Sequence, residues 1–301
     1  MRARVWCIAV VAAMGCGTSE PPGSTGASSS SGGSIGGKSS SSSGTTPSDD
    51  NCSDAARLVY VLSSDTTLYS FAPNAGKFTN VGQLDCAIGA GVTPNSMAID
   101  RQGTAWINYT DGRLFKASTE NAHCEPTEFQ PNQVGFFKFG MAFATSGPGS
   151  TTETLFISGL GDLAAVGKGF GKINLDTMKI TMLGDFSGAL SGRGAELTGT
   201  GDGKLFGFFT TSPNATFAEV KPSNGDTSND VVLNGVQTQN SWAFSFWGGD
   251  FWFYTAAATG TSTVTRLKTS SDDSLSVVVP DAGFRIVGAG VSTCAPVEPP
   301  K

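Results

Sequence analysis

The stretch PNSMAIDRQGTAWINYTDGRLFKAS, residues 94–118, decides the reading of this chain, because it places three short strands around two glycine turns. Ser96-Met97-Ala98-Ile99 reads as a short buried strand and Asp100 to Gly103 as a turn. Thr104-Ala105-Trp106-Ile107 follows, rich in the residue types that suit a pleated surface. Thr110-Asp111-Gly112 turns the chain again, and Arg113-Leu114-Phe115-Lys116 fits a third strand with one face against a neighbouring sheet. Strand, turn, strand, turn, strand is the signature of one blade of a β-propeller.

The pattern recurs. A small residue followed by apolar ones begins an innermost strand at Ser96, Gly140, Gly194, Ser241 and Gly288. The intervals between these first residues are 44, 54, 47 and 47, a period typical of four-stranded blades. After each of the first four comes an aromatic strand, around Trp106, Phe156, Phe206 and Trp252, and then a third strand: Arg113 to Lys116, Lys172 to Leu175, Phe217 to Val220 and Val264 to Leu267. Outer strands are expected at Lys179 to Leu183, Asp230 to Leu233 and Ser276 to Val279.

The fifth inner strand, Val287 to Thr293, has nothing after it, whereas Leu58 to Leu62, Leu68 to Phe71 and Phe78 to Leu84 lack an inner strand. Each supplies what the other is missing. Pairing the last strand with the first blade would close a ring of five blades over residues 52–295 and remove the open sheet edges. The expected fold is therefore all-β, a five-bladed propeller, with a β-sandwich of similar size as the alternative.

The N-terminus reads as a targeting signal. Arg2 and Arg4 precede a short apolar run from Val5 to Met14, which ends in Ala13-Met14-Gly15-Cys16. This resembles the bacterial lipobox, in which the chain is cut before the cysteine and that cysteine is lipidated. Cys16 would then begin the mature protein, with an ordinary signal peptide cut near Gly15 as the alternative. Gly17 in place of Asp points to the outer membrane if the source is Gram-negative. Residues 17–50 carry serine runs broken by Gly and Pro, with Ile35 the only large apolar side chain. They cannot build a core, and a coil of this composition spans roughly 30 to 35 Å. A signal at 1–15, a lipidated tether at 16–51, a propeller at 52–295 and a short tail at 296–301 describe a head displayed at the bacterial cell envelope.

Four thiols remain once Cys7 leaves with the signal and Cys16 takes lipid. Cys52, Cys86, Cys124 and Cys294 allow three pairings in an exported chain. Cys52 lies just before the first strand and Cys294 just after the last, so ring closure brings them together. Cys86 and Cys124 end the outer edges of the first two blades and make the expected second bridge. The absence of any CxxC spacing gives no support to a zinc or redox site.

The whole chain has 19 basic and 25 acidic residues. Loss of Arg2 and Arg4 with the signal leaves 17 against 25, a net charge of −8, and no basic cluster for nucleic acid. A single histidine, His123, limits metal and nucleophile chemistry, and it reads as a solvated loop residue. Gly159-Leu160-Gly161-Asp162-Leu163-Ala164 matches the dinucleotide fingerprint G-x-G-x-x-A only superficially, since Gly167, Gly169 and Gly171 would break the helix it needs. No cofactor is expected. The aromatic run from Trp242 to Tyr254 should pack mostly between blades, with Trp242 near the channel.

At the third position of the inner-strand pattern stand Ala98, Ala142, Ala243 and Gly290, but Glu196 in one blade. With Arg193 three residues earlier, Glu196 could orient a polar ligand or form a structural ion pair. The expected ligand face is where outer strands cross to the next inner strand. Asn95, Arg193, Asn240 and Trp242 enter it, with Glu196 deeper.

The pattern SMAIDRQGTAWI resembles the propellers of the NHL, SMP-30/gluconolactonase and streptogramin-lyase group across residues 57–294. That resemblance implies a propeller. Where lactonases of the group hold a divalent metal with Glu, Asn and Asp, and lyases use His, this chain has mostly Ala or Gly at its inner positions. The functional expectation is a surface-displayed lipoprotein that binds a polar ligand, a glycan or peptide, or a protein partner. The alternative is an enzyme of the lactonase, lyase or glycoside hydrolase kind acting on small molecules or glycans.

Overall fold

Each blade grows from its first hairpin. Asp100 accepts at Oδ1 from the backbone N–H groups of Gln102 (3.0 Å) and Thr104 (2.8 Å), and at Oδ2 from Trp106 Nε1 (2.9 Å). This side chain thus holds the turn and anchors the aromatic residue of the next strand. Gly103, at φ +84°, completes the turn in a conformation that suits glycine.

The computed structural model describes residues 52–160, 167–269 and 272–299. The expected signal, Cys16 and the serine-rich segment, all within 1–51, lie outside these residues. The first blade begins with β1 (Val59–Ser63), β2 (Thr67–Ala72) and β3 (Lys77–Gln83). The second contains β4 (Pro94–Ile99), β5 (Thr104–Tyr109), β6 (Leu114–Ser118) and β7 (Cys124–Pro126). The third contains β8 (Lys138–Thr145), β9 (Glu153–Leu160), β10 (Gly167–Asn174) and β11 (Lys179–Gly184). In the fourth are β12 (Ala195–Gly199), β13 (Leu205–Phe209), β14 (Thr216–Val220) and β15 (Thr227–Val232). The fifth holds β16 (Ser241–Trp247), β17 (Asp250–Ala256), β18 (Thr263–Lys268) and β19 (Ser274–Val279).

The last strand, β20 (Ile286–Gly290), returns to the first blade and pairs antiparallel with β1, Tyr60 opposite Gly290 and Val61 opposite Ala289. The result is five antiparallel four-stranded sheets, the first in the order β20-β1-β2-β3. Their inner strands touch in sequence, β20 to β4, β8, β12, β16 and back to β20. A closed ring of this kind is a five-bladed propeller and excludes the sandwich alternative.

Alternation along each strand sends successive side chains to opposite blade faces. Met97 and Ile99 of β4 face the first blade, where they join Tyr60, Leu62 and Ile107, whereas Ala98 joins Phe139, Met141 and Phe143 on the side of the third. Three more interblade cores follow the same rule. Phe156, Phe170 and Phe209 fill the gap between the third and fourth blades; Phe208, Phe244 and Phe253 fill that between the fourth and fifth. Between the fifth and first, Trp252 and Tyr254 meet Val59, Val61 and Phe71. The aromatic run around Trp242 is thus mostly interblade packing. Burial of each such ring contributes roughly 2 to 3 kcal/mol.

Toward the axis the inner strands crowd together. A Cβ on Gly140 would lie 2.2 Å from the Ala195 carbonyl oxygen and 2.8 Å from Glu196 Cα. Glycine here lets β8 and β12 approach backbone to backbone. Two disulfides hold the ring, Cys52–Cys294 (Cα–Cα 5.9 Å) and Cys86–Cys124 (Cα–Cα 4.8 Å), the pairs expected from the sequence. The closing bridge spans a sequence separation of 242 residues.

Candidate functional site at one end of the channel

Strand register places Glu196 differently from the sequence alignment. The aromatic rings that open the second strands, Trp106, Phe156, Phe206 and Trp252, lie opposite Ala98, Ala142, Thr198 and Ser245. Glu196 is two residues closer to the mouth, at the level of Ser96, Gly140 and Ala243, and of Gly288 on β20. A slip of two keeps every side chain on its face, so hydrophobic alternation alone does not reveal it. At this level four small residues leave room at the axis, and the Glu196 side chain fills it.

Glu196 reaches across the ring. Ser96 Oγ donates to its Oε2 at 2.7 Å, a bond between the second and fourth blades that passes over Gly140 of the third. Glu196 is only 2% exposed, and burial pushes its carboxyl up to about 8, the Ser96 bond opposing that shift. Arg193 forms no ion pair with it, contrary to the structural-pair expectation. Residues three apart in an extended chain point to opposite sides, and Arg193 lies in the turn before β12, half-exposed.

Above Glu196 is a cavity of about 190 Å³. Its lining includes Asn95, Glu196, Asn240 and Trp242, four of the five residues singled out from the sequence, together with Ser241 and Val287; Arg193 is not part of it. These residues come from the starts of β4, β12, β16 and β20, the end where outer strands cross to the next inner strand. Two of them sit at irregularities in pairing. Asn95 falls in the register shift between Pro94 and Ser96, and Val287 in the shift where Ile286 meets Ser63 and Gly288 meets Leu62. Bulges of this type re-aim side chains at the rim of a closed sheet.

Asn95 Nδ2 donates to Asn108 Oδ1 (3.0 Å) and the Phe139 carbonyl (3.1 Å), which leaves its own Oδ1 as an acceptor. Asn240 Nδ2 likewise donates to the Ala258 carbonyl at 2.9 Å. Ser241 Oγ and Trp242 Nε1 are buried atoms with no hydrogen-bond partner among the described residues. Ser241 and Ser96 are the site residues that sequence reasoning passed over. Both occupy the first place of the inner-strand pattern, where the other blades have Gly, and that Ser-for-Gly difference was the available signal.

At the opposite end of the ring a set of side chains bond to one another. Arg101 donates from Nη1 to Thr293 Oγ1 (3.0 Å) and from its backbone N–H to Glu153 Oε1 (3.0 Å), and Thr293 donates to Glu153 Oε2 (2.9 Å). Desolvation raises the Glu153 carboxyl above its usual range. His123 lies on the flank of the second blade, 62% exposed, with Nδ1 2.7 Å from Asp85 Oδ2, and that contact raises its pKa. A hollow of about 650 Å³ there is lined by Asp54, Lys116, Glu120 and His123. Gly159 and Leu160 end β9 and the chain resumes as strand β10 at Gly167, where the dinucleotide fingerprint requires a helix; residues 161–166 lie outside the described ones. Among the described residues, no three His, Cys, Asp or Glu side chains gather so as to hold a metal ion.

No known family model matches the chain, and no curated protein matches its sequence. Among solved structures it is similar to the propeller of Dos1, at 8% identity over 80% of this chain and 72% of that one, with a TM-score of 0.44. It is also similar to a gluconolactonase from Xanthomonas campestris, at 13% identity over 77% of this chain and 74% of the other, TM-score 0.45. TolB from Acinetobacter baumannii is 11% identical over 75% of this chain and 53% of its own length, TM-score 0.42. At this distance no ligand or activity transfers, and the fold rests on the chain's own strand pairing.

Proposed function

We propose that this chain is a binding module, displayed at the cell envelope through lipidated Cys16, that recognises a polar ligand at the mouth of its propeller channel. The observation that carries the reading is a pair of buried polar atoms, Ser241 Oγ and Trp242 Nε1, left without partners among the described residues, in two residues that line the cavity above Glu196. Folded chains rarely bury such atoms unsatisfied, because each costs about 1 to 3 kcal/mol, and a ligand would recover that cost. Binding is favoured over hydrolysis because, among the described residues, the cavity has one carboxyl group. Cleavage by paired carboxylates needs a second, and the equivalent strand positions supply Ser96, Gly140, Ala243 and Gly288.

Screening the wild type, Trp242→Ala and Glu196→Ala against glycan and peptide arrays tests the site. Loss of at least about tenfold in binding to a captured ligand by both folded variants is expected; equal binding by all three would place recognition elsewhere. The anchor has its own test, since Cys16→Ala should leave the membrane fraction, and continued partitioning with membranes would assign attachment to another feature.

A further inference from the structure

The cavity has a peculiar charge balance for a polar site. Of the described side chains lining it only Glu196 can ionise, and at its level the other four inner strands present Ser96, Gly140, Ala243 and Gly288. Lys138 at the start of β8 and Arg193 before β12 form no ion pair with it, and among the described residues no positive charge holds its carboxylate. A buried carboxylate without a counter-charge takes up a proton instead. Ser96 occupies Oε2, and Oε1 has no partner among the described residues.

We propose that the cavity takes an uncharged, hydroxyl-bearing sugar residue at the end of a glycan, and that Glu196 meets it as a carboxylic acid, donating a hydrogen bond. This rests on the binding reading above and narrows its ligand. With Glu196 neutral, the lining residues carry three donors, the Glu196 and Ser241 hydroxyls and the Trp242 N–H, and two acceptors, the Asn95 and Asn240 side-chain carbonyls. Sugar hydroxyls each give and take, which suits such a mixed set. An anionic group would find no cation among the described lining residues, and a cationic one would first have to take the proton off a buried carboxyl, a cost that a neutral sugar does not meet. Size points the same way. About 190 Å³ is below the range of drug-sized pockets and accommodates one ring, whereas a peptide is read along a groove several residues long.

Titration calorimetry on the full chain decides this, with methyl glucoside, methyl galactoside, methyl mannoside and N-acetylglucosamine as neutral probes. Glucuronate, glucosamine and a blocked tetra-alanine peptide are the contrasting arms. At least one neutral sugar should bind, with its uronate or amine at least about tenfold weaker, and the affinity should fall about tenfold between pH 6 and pH 9 as the acid form is lost. Glu196→Gln, which keeps a neutral donor, should bind the same sugar without that pH dependence. Preference for the charged sugars, binding of the peptide alone, or a wild-type sugar affinity flat across pH 6 to 9 would each overturn the proposal. Two of these readouts use only wild-type protein and hold even if the variant fails to fold. Silence from every probe, with Trp242→Ala indistinguishable from wild type on the arrays, would remove the binding reading as well.

Discussion

A buried carboxyl whose pKa is raised weakens the fold as pH rises, and Glu196 is that group in this chain. Burial pushes its carboxyl from the ordinary 4.5 up to about 8, so its contribution is fully present below pH 4.5 and is lost as pH rises through 8. Replacing it with Gln removes the charge and the penalty. Thermal melts across pH 5 to 9 should show Glu196→Gln gaining on the wild type with pH, by roughly 2 kcal/mol or more at pH 8. Parallel pH profiles would mean that Glu196 is solvated. Gly140 makes an opposite case, because a Cβ there overlaps the backbone of β12. Gly140→Ala should lower stability by more than about 2 kcal/mol in urea unfolding, and a smaller loss would show that the two strands separate easily. Glu196 was legible in the sequence because it interrupts a repeat of small residues. Its level in the ring and its Ser96 partner were not legible, since a two-residue slip leaves the facing pattern intact and the partner is 100 residues away in sequence.

Strands were the most legible elements. Gly turns and the aromatic second strands located all five inner strands to within about three residues, because each hairpin encodes its own pairing locally. Irregular pairing at Asn95 and Val287 was not encoded in that way, since a bulge depends on which neighbour a strand meets. The closing strand β20 was read from what the two ends of the chain lacked, and the Cys52–Cys294 bridge sits beside it. Because that bridge closes a very long loop in the unfolded chain, Cys294→Ser should destabilise the ring by about 2 to 4 kcal/mol. Unfolding with and without reductant measures it, and peptide mapping under non-reducing conditions checks the pairing. A Cys52–Cys86 peptide would break the closure argument.

For the molecule as a whole, the two ends of the channel differ in kind. At one end Arg101, Glu153 and Thr293 are joined by hydrogen bonds, and at the other is a cavity lined by Ser241 and Trp242, whose buried Oγ and Nε1 have no partner among the described residues. The binding proposal places the ligand at the end with that cavity. The tryptophans allow it to be observed directly. Trp106 Nε1 donates to Asp100 (2.9 Å), Trp247 Nε1 to the Arg57 carbonyl (3.0 Å) and Trp252 Nε1 to the Trp247 carbonyl (3.2 Å), whereas Trp242 Nε1 has no partner among the described residues. The most direct test is a ¹H–¹⁵N spectrum of the indole N–H groups during titration with a captured ligand, Trp242 being assigned by the peak lost in Trp242→Phe. Binding at the channel mouth predicts that the Trp242 resonance moves with saturation while those of Trp106, Trp247 and Trp252 stay in place. A ligand that saturates the protein and leaves Trp242 unmoved would contradict the site.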